Sequence, residues 1–444
     1  MSLEQFGYEE QLDRALSLSD LIVFGMIFMV PIAPFAVFGF VWQQAGGMIA
    51  LAYLIGLAGM LFTALSYAAM SRAFPLAGSV YAYVQRGLHP FASFLAGWLI
   101  LLDYILVPSL LYLFSAAALQ PLLPRVPGWA WLAAFIGFNA AANLLGVRFT
   151  ARLNRILLAL ELLTLAAFVI CGAMALHAGA GAGRLTLAPL YDRQGFSLSM
   201  VAGATSIAVL SFLGFDGIST LAEESAGARN AVARATLLAL GVVGALFVLQ
   251  TWIAADLARG MRFASTATAF SEIAARAGGT PLRLTAIAAV VVSFGIANAM
   301  AAQAAVARVL FAMARDGKLP AILAAVHPRL KTPHVSTLLV AAVSLLVGLL
   351  FTDRIDDLSR VVNFGALASF ALLHLAVVHH HLLRRRTGAW LQHLLFPLAG
   401  FTVILFVLYG MDHMAKILGG CWIAAGMLYY LILAHRHGRS TPQL

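Results

Sequence analysis

The sequence predicts an all-α polytopic membrane protein of twelve transmembrane helices, and three observations carry that reading. Hydrophobic residues fill 62% of the 444 positions and charged residues only 10%, with a mean hydropathy of +0.92, which excludes a soluble multidomain protein. The apolar runs are long and continuous, so they read as helices; an outer-membrane barrel would need short segments of alternating polarity. Two runs carry helix breakers, Met29-Val30-Pro31-Ile32-Ala33-Pro34 in the first and Gly214-Phe215-Asp216-Gly217 in the sixth. Breaks at corresponding places in two five-helix halves point to an inverted five-plus-five helix repeat with discontinuous first and sixth helices and a site at the midplane. The bland alternative is a pair of unrelated kinks.

Apolar windows place the helices near 18–42, 46–71, 91–120, 128–146, 152–177, 197–224, 232–255, 281–314, 333–352, 358–383, 390–411 and 413–436. The chain then divides into a polar N-terminal segment (1–17), a first repeat (18–177), a second repeat (197–383), two peripheral helices (390–436) and a tail (437–444). With both termini in the cytoplasm, most of the 28 basic residues fall on that side, among them Arg72, Arg86, Arg148, Arg152, Arg155, Arg308, Arg315 and Arg384 to Arg386. The positive-inside rule explains the net charge of +10 without nucleic acid. Loop 256–280, with Arg259, Arg262 and Arg276, dilutes the bias and is long enough for a short surface helix. The two cysteines, Cys171 and Cys421, lie in apolar segments with no paired spacing for a metal or a disulfide framework.

In the first helix, Pro31 and Pro34 remove amide donors and clash with the preceding turn. In the sixth, Gly214 and Gly217 loosen the backbone beside the ionisable Asp216, a combination tolerated at membrane depth only where it lines a cavity or is buried in protein. Asp103-Tyr104 puts a second carboxylate inside the third helix, which by default marks function. Glu161 in the fifth helix is either a proton-handling group or the partner of a polar group on a neighbouring helix. Ser293, Asn298, Gln303 and Asn363 serve either as helix-to-helix hydrogen bonds or as substrate contacts. Glu223 and Glu224, at the cytoplasmic end of the sixth helix, are either solvated, paired with Arg229 or Arg234, or part of an inner gate. The segment from Phe74 to Tyr83 reads on physical grounds as an interfacial turn. His379, His380 and His381 point in different directions around a helix and do not converge on one metal ion. No His-Glu-x-x-His or Gly-x-Ser-x-Gly pattern suggests an enzyme.

Taken together, Ser211-Phe-Leu-Gly-Phe-Asp-Gly217 with Glu223-Glu224, Phe74-Pro-Leu-Ala-Gly-Ser79 with Tyr81 and Tyr83, Leu101-Leu-Asp-Tyr104, Arg315-Asp316 and Asn363-Phe-Gly-Ala366 resemble the amino acid, polyamine and organocation superfamily of secondary transporters. Within it the chain is similar to the bacterial putrescine importers, from Leu18 to about Arg386. The resemblance implies alternating access in a bacterial cytoplasmic membrane, uptake of a small cationic amine or amino acid driven by an ion gradient, most simply of protons, and no cofactor. It places the substrate between Met29, Val30, Pro31 and Ala33 on one side and Gly214, Phe215, Asp216 and Gly217 on the other, with Asp103, Tyr104 and Asn298 nearby. Asp216, Glu161, Glu223 and Glu224 are the expected coupling or gating groups. Two departures bear on specificity. The importers' aspartate after the first break is here Ala36, and Glu161 lies near a position where some proton-coupled relatives carry a lysine.

The expected chemistry is charge compensation: an ammonium group sheds its water and Asp103 and Asp216 replace it, aided by the faces of Phe215 and Tyr104. The rival reading is an amino-acid permease, in which backbone amides at the breaks hold a substrate carboxylate. A membrane amine sensor or channel fits less well, since paired breaks suit alternating access better than a continuous pore.

Overall fold

The computed structural model describes residues 12, 14–120, 123–192, 196–226, 230–266, 268–352 and 354–436. The N-terminal segment through residue 11, Arg229 and the 437–444 tail lie outside the described residues. In chain order the helices are α1 (Leu18–Met29), α2 (Pro34–Ala45), α3 (Ile49–Ala73), α4 (Ser79–Gly87), α5 (Pro90–Leu119), α6 (Gly128–Leu144), α7 (Val147–His177), α8 (Leu198–Ala208), α9 (Ala231–Ala258), α10 (Ala269–Val292), α11 (Ala299–Arg315), α12 (His334–Leu350), α13 (Ile355–Val378), α14 (Phe396–Gly410) and α15 (His413–Arg436).

Among the described residues, nine helical stretches are long and apolar enough to cross a membrane, and the bent pair α1 and α2 makes a tenth. The remaining two windows hold α6 and α12, each of 17 residues, or about 26 Å at 1.5 Å per residue. Burial separates the helices into inner and outer sets. The most apolar windows of α5 and of the Leu198–Glu224 stretch are each 72% buried, whereas those of Leu391–Gly410 and His413–Ile432 are 22% and 17% buried. The last two helices therefore lie at the periphery, and α5 and the sixth window form the centre against α1, α3, α9 and α13.

Both interruptions are real breaks of the backbone. Helix α1 ends at Met29, Val30 takes φ 54°, ψ 100°, and α2 starts at Pro34, bent by 48° from α1. Positive φ is costly for a β-branched residue, so the surrounding packing must enforce it. Pro34 sits at the first position of α2, where a missing amide hydrogen costs nothing. The freed carbonyl of Pro31 accepts a hydrogen bond from Nε2 of Gln250 on α9 at 2.8 Å, satisfying backbone that lipid could not.

In the sixth window, α8 tightens into a 3-10 turn at Val209–Phe212, Leu213 is extended, and Gly214 takes φ 115°. The chain then continues as ten residues of 3-10 helix, Phe215–Glu224, in the sixth helix that the sequence reads as discontinuous. Runs of that length are uncommon and mark strain or a hinge. A Cβ on Gly214 would lie 2.7 Å from the carbonyl oxygen of Phe28, and one on Gly217 would enter the Phe28 ring. The two glycines thus let the break of one helix press against the end of the other.

Loop 256–280 does carry a helix: α10 starts at Ala269 and is interrupted at Gly278 and Gly279, the latter at φ 71°. Its first part is not merely superficial. Phe270 stacks on Phe35 at 3.9 Å between ring centroids and abuts Phe38 and Phe168, packing against the first turns of α2 beside the break. Further on, a π-turn at Ser293–Asn298 joins α10 to α11, a feature common at functional positions.

Candidate functional site

Where α1, α5, the sixth-window break and the π-turn meet, they enclose a cavity of ≈ 50 Å³. Of the residues the sequence singled out, Met29, Ala33, Asp103, Gly214 and Asn298 line it. Three aromatic side chains with no sequence signal of their own, Phe28, Phe114 and Phe294, complete much of the wall. Ser211 also lines it, with its hydroxyl 3.0 Å from that of Tyr53.

The electrostatics of this cavity rest on two oxygens. Asp103 is 3% and Asn298 7% exposed, and Oδ1 of each is buried without a hydrogen-bond partner. Leaving such an acceptor unmade costs about 1–3 kcal/mol, more when it is charged. Two orphaned acceptors in one aromatic-lined cavity therefore call for a donor, and a cationic donor best of all.

Asp216 stands elsewhere. It is 1% exposed, outside the cavity wall, and its Oδ2 accepts a short hydrogen bond from the Tyr104 hydroxyl and a long one, 3.5 Å, from Ser79. Oδ1 accepts from the amide of Gly214 at 3.3 Å. The Ser79 hydroxyl is in turn 3.1 Å from that of Tyr67, whose ring meets Phe215 edge to face at 5.7 Å. Tyr104, Asp216 and, through the Tyr67 ring, Phe215 thus belong to a cluster outside the cavity wall, while Gly217 packs against Phe28. That cluster links the break to α3, α4 and α5. The interfacial turn of the sequence reading contributes Ser79 to it, at the unusual φ of 52°. Val30 and Pro31 form the turn between α1 and α2 without lining the cavity.

Beyond the cavity, a wider vestibule of ≈ 420 Å³ shares Val37, Phe114 and Leu210 with it. The vestibule wall also holds Gln43, Gln44, Asn363 and Asp412. Ala36 lines neither space, while Ala33, just before α2, and Val37 in its first turn line the cavity.

Toward the C-terminal end of the sixth window, Glu223 and Glu224 stand in buried charge pairs. Glu223 accepts from Nη1 and Nη2 of Arg315, both at 3.0 Å, and from the amide of Ala77 at 3.0 Å. Glu224 forms a bidentate pair with Arg308, Nη2 lying 2.9 Å from Oε2. The partners are therefore on α11, not Arg234 on α9. Arg308 and Arg315 are seven residues apart, two helical turns, which places them on one face; that spacing is the signal the sequence offered. Asp20 pairs with Arg155, the Tyr81 hydroxyl donates to Asp316 at 2.8 Å, and the backbone of Leu16 bridges that of Glu224 and Ala226 at 3.0 and 2.9 Å. Glu161 on α7 is 2% exposed, with neither oxygen hydrogen-bonded, and lies beside Ser293.

A helical membrane protein whose two broken helices hold a small cavity next to a wider vestibule, with buried ion pairs at the end of the second break, has the architecture of a permease. The profile of the amino acid permease family matches residues 15–432, and the chain belongs to that family. It is 30% identical over 443 residues to the low-affinity putrescine importer PlaP of Escherichia coli strain K12, covering 98% of this chain and 96% of that one. It is also similar to the branched-chain amino acid permease BcaP of Bacillus subtilis, at 26% identity over 97% of this chain and 95% of that one. The methylthioribose transporter of the same organism matches at 25% identity, over 96% of this chain and 95% of that one.

Proposed function

We propose that this permease imports a small organic amine, with putrescine as the leading substrate, by proton-coupled alternating access between two inverted five-helix repeats in a bacterial cytoplasmic membrane. The observation that carries the reading is the pair of orphaned oxygens on Asp103 and Asn298 inside the aromatic-lined cavity. An ammonium group placed there donates to both and faces the rings of Phe28 and Phe114. These contacts offset its lost hydration. The similarity to a putrescine importer over nearly the whole chain supports the same reading.

The cavity volume is roughly that of one or two molecules of liquid water. It suits one charged head group, with the carbon chain reaching along Val37 and Leu210 toward the vestibule. There Asp412, Asn363 and the glutamines offer acceptors to the second ammonium. In the inward step the pairs Glu223–Arg315 and Glu224–Arg308 separate. The face that carries them is the cytoplasmic one, in keeping with its density of arginine. Glu161, buried and unpartnered beside the π-turn, carries the coupling proton: a carboxyl there exchanges a proton at less cost than it holds a lone charge.

The apolar remainder of the cavity, Val107, Leu110, Leu111 and Leu213, favours a second reading, a branched-chain amino acid as substrate. Uptake of radiolabelled putrescine into proteoliposomes, with and without an inward proton gradient, separates the two. Gradient-driven uptake displaced by spermidine and monoamines supports the amine reading. Displacement by leucine or valine alone, with no putrescine accumulation, replaces it with the amino-acid reading.

A further inference from the structure

The π-turn at Ser293–Asn298 departs from a regular helix with neither a proline nor a positive φ to force it. Its sequence, Ser-Phe-Gly-Ile-Ala-Asn, offers a single glycine, so side chains from neighbouring helices must hold the irregular backbone. Phe294 and Asn298 line the substrate cavity from this turn, and Ser293 lies beside Glu161.

The hydrogen bonds show where the helical ladder is interrupted. In an α-helix the amide of Ala299 would donate to the carbonyl of Gly295; here it reaches the carbonyls of Ile296 and Phe294 instead. The Gly295 carbonyl accepts from Nδ2 of Asn139 on α6 at 2.9 Å. One turn along α6, Nδ2 of Asn143 donates to the carbonyl of Met300 at 3.0 Å and to Oε1 of Gln303 at 2.9 Å. From α5, the Ser115 hydroxyl donates to the carbonyl of Val291 at 3.2 Å, and the Tyr112 hydroxyl accepts from Asn139 at 3.1 Å. Three carbonyls in or beside the turn thus take side-chain donors from two other helices. Gly295 makes the approach possible, since a Cβ there would lie 2.8 Å from Oγ of Ser115 and 3.1 Å from the Phe135 ring. Asn139 and Asn143 are buried, where an unmade carbonyl bond is costly, and neither lines the substrate cavity.

We propose that Asn139 and Asn143 are positioning residues for substrate: by donating to carbonyls in and beside the π-turn they hold it in the register that sets Asn298 in the cavity wall. The inference rests on the reading of that cavity as the substrate site. An inserted residue offsets the helix on one side of a π-turn from the other by about 100° relative to an unbroken α-helix. Relaxing the turn would therefore change how Phe294 and Asn298 face the cavity, and the pairing of Asn298 with Asp103 around an ammonium group would loosen. Bonds that served only to join helices could fall anywhere along α11; these bracket the turn.

A double-mutant cycle on the binding of labelled putrescine tests the assignment. Asn139→Ala is expected to lower affinity about fivefold, the effect of one hydrogen bond of ordinary strength. On the Asn298→Ala background it is expected to add little, because positioning acts through that side chain. Asn143→Ala is read in the same cycle and serves if Asn139→Ala does not fold. Leu132→Ala, a buried α6 position facing Gly348 on α12, is expected to lower thermal stability without changing affinity. Independent, additive losses from Asn139→Ala and Asn298→Ala overturn the proposal and leave the asparagines as packing. If the wild type binds leucine and not putrescine, the cycle is run with leucine, so failure of the amine reading and failure of the positioning role stay separate. Hydrogen exchange needs no ligand: peptides over 293–303 are expected to exchange faster in Asn139→Ala than in Leu132→Ala, and equal protection overturns the proposal whatever the substrate.

Discussion

The hydroxyl of Tyr104 donates to Oδ2 of Asp216, so the carboxylate at the sixth-window break is engaged from within the protein. Asp103, one residue earlier on α5, lines the cavity and has an Oδ1 without a hydrogen-bond partner. Neighbours in sequence thereby divide two tasks in the proposed mechanism: Asp103 is the group that meets the substrate, and Tyr104 ties the break to the scaffold. This division orders the expected effects of substitution.

Asp103→Asn removes the charge facing the ligand. A hydrogen bond to a charged group contributes about 1.5–3 kcal/mol, so amine affinity is expected to fall roughly tenfold to a hundredfold, as read by scintillation proximity binding. Unchanged affinity would remove Asp103 from the site.

Asp216→Asn keeps the shape of the cluster but withdraws its charge from Tyr104, Ser79 and the Gly214 amide. Amine uptake is expected to be lost while the protein still inserts into the membrane. Tyr104→Phe, which keeps the carboxylate, is expected to retain a measurable fraction. Normal uptake by the asparagine variant would show that the break is held together by other means.

Gly217→Ala places a methyl group in the Phe28 ring, and nothing but Phe28 can yield. Transport is expected to fall severely in this variant, and Phe28→Leu on the same background is expected to restore part of it by making room. Absence of any rescue would mean that the contact between the two breaks does not limit transport.

At the gate, Glu224→Gln strands Arg308, which is 6% exposed. Breaking a buried pair in this way costs about 3–5 kcal/mol. The closed arrangement is the one penalised, so thiol labelling of a cysteine introduced at Ala305 from the gated side is expected to accelerate. Protection equal to that of the parent would place the gate elsewhere.

Glu161→Gln is expected to abolish proton-driven accumulation while leaving exchange of labelled for unlabelled substrate across the membrane. Loss of both would assign Glu161 to folding or binding, and retention of accumulation would remove it from coupling.

Several of these relationships were legible in the residues themselves. Pro31, Pro34, Gly214 and Gly217 announce breaks because missing amide hydrogens and missing Cβ atoms act locally, whatever surrounds them. Asp103 announces function because a carboxylate at membrane depth is costly in any arrangement of helices. Phe28, Phe114 and Phe294 gave no such notice, since an aromatic ring in an apolar helix faces lipid, core or ligand with equal local propriety. The partners of Glu223 and Glu224 were hidden for a different reason: nearby Arg234 was the local candidate, and the choice of Arg308 and Arg315 depends on how α11 docks.

By itself, then, the sequence determined that the chain crosses a membrane as helices, that its first and sixth windows are interrupted, and that buried carboxylates mark the interior. These follow from the solvation of backbone and charge, which each residue carries with it. Only the tertiary structure decided that Asp103 and Asn298 share a cavity while Asp216 is held by Tyr104 outside its wall. The packing of distant helices fixes those distances, and contacts between α3, α5, α11 and α13 are long-range terms that no local stretch encodes.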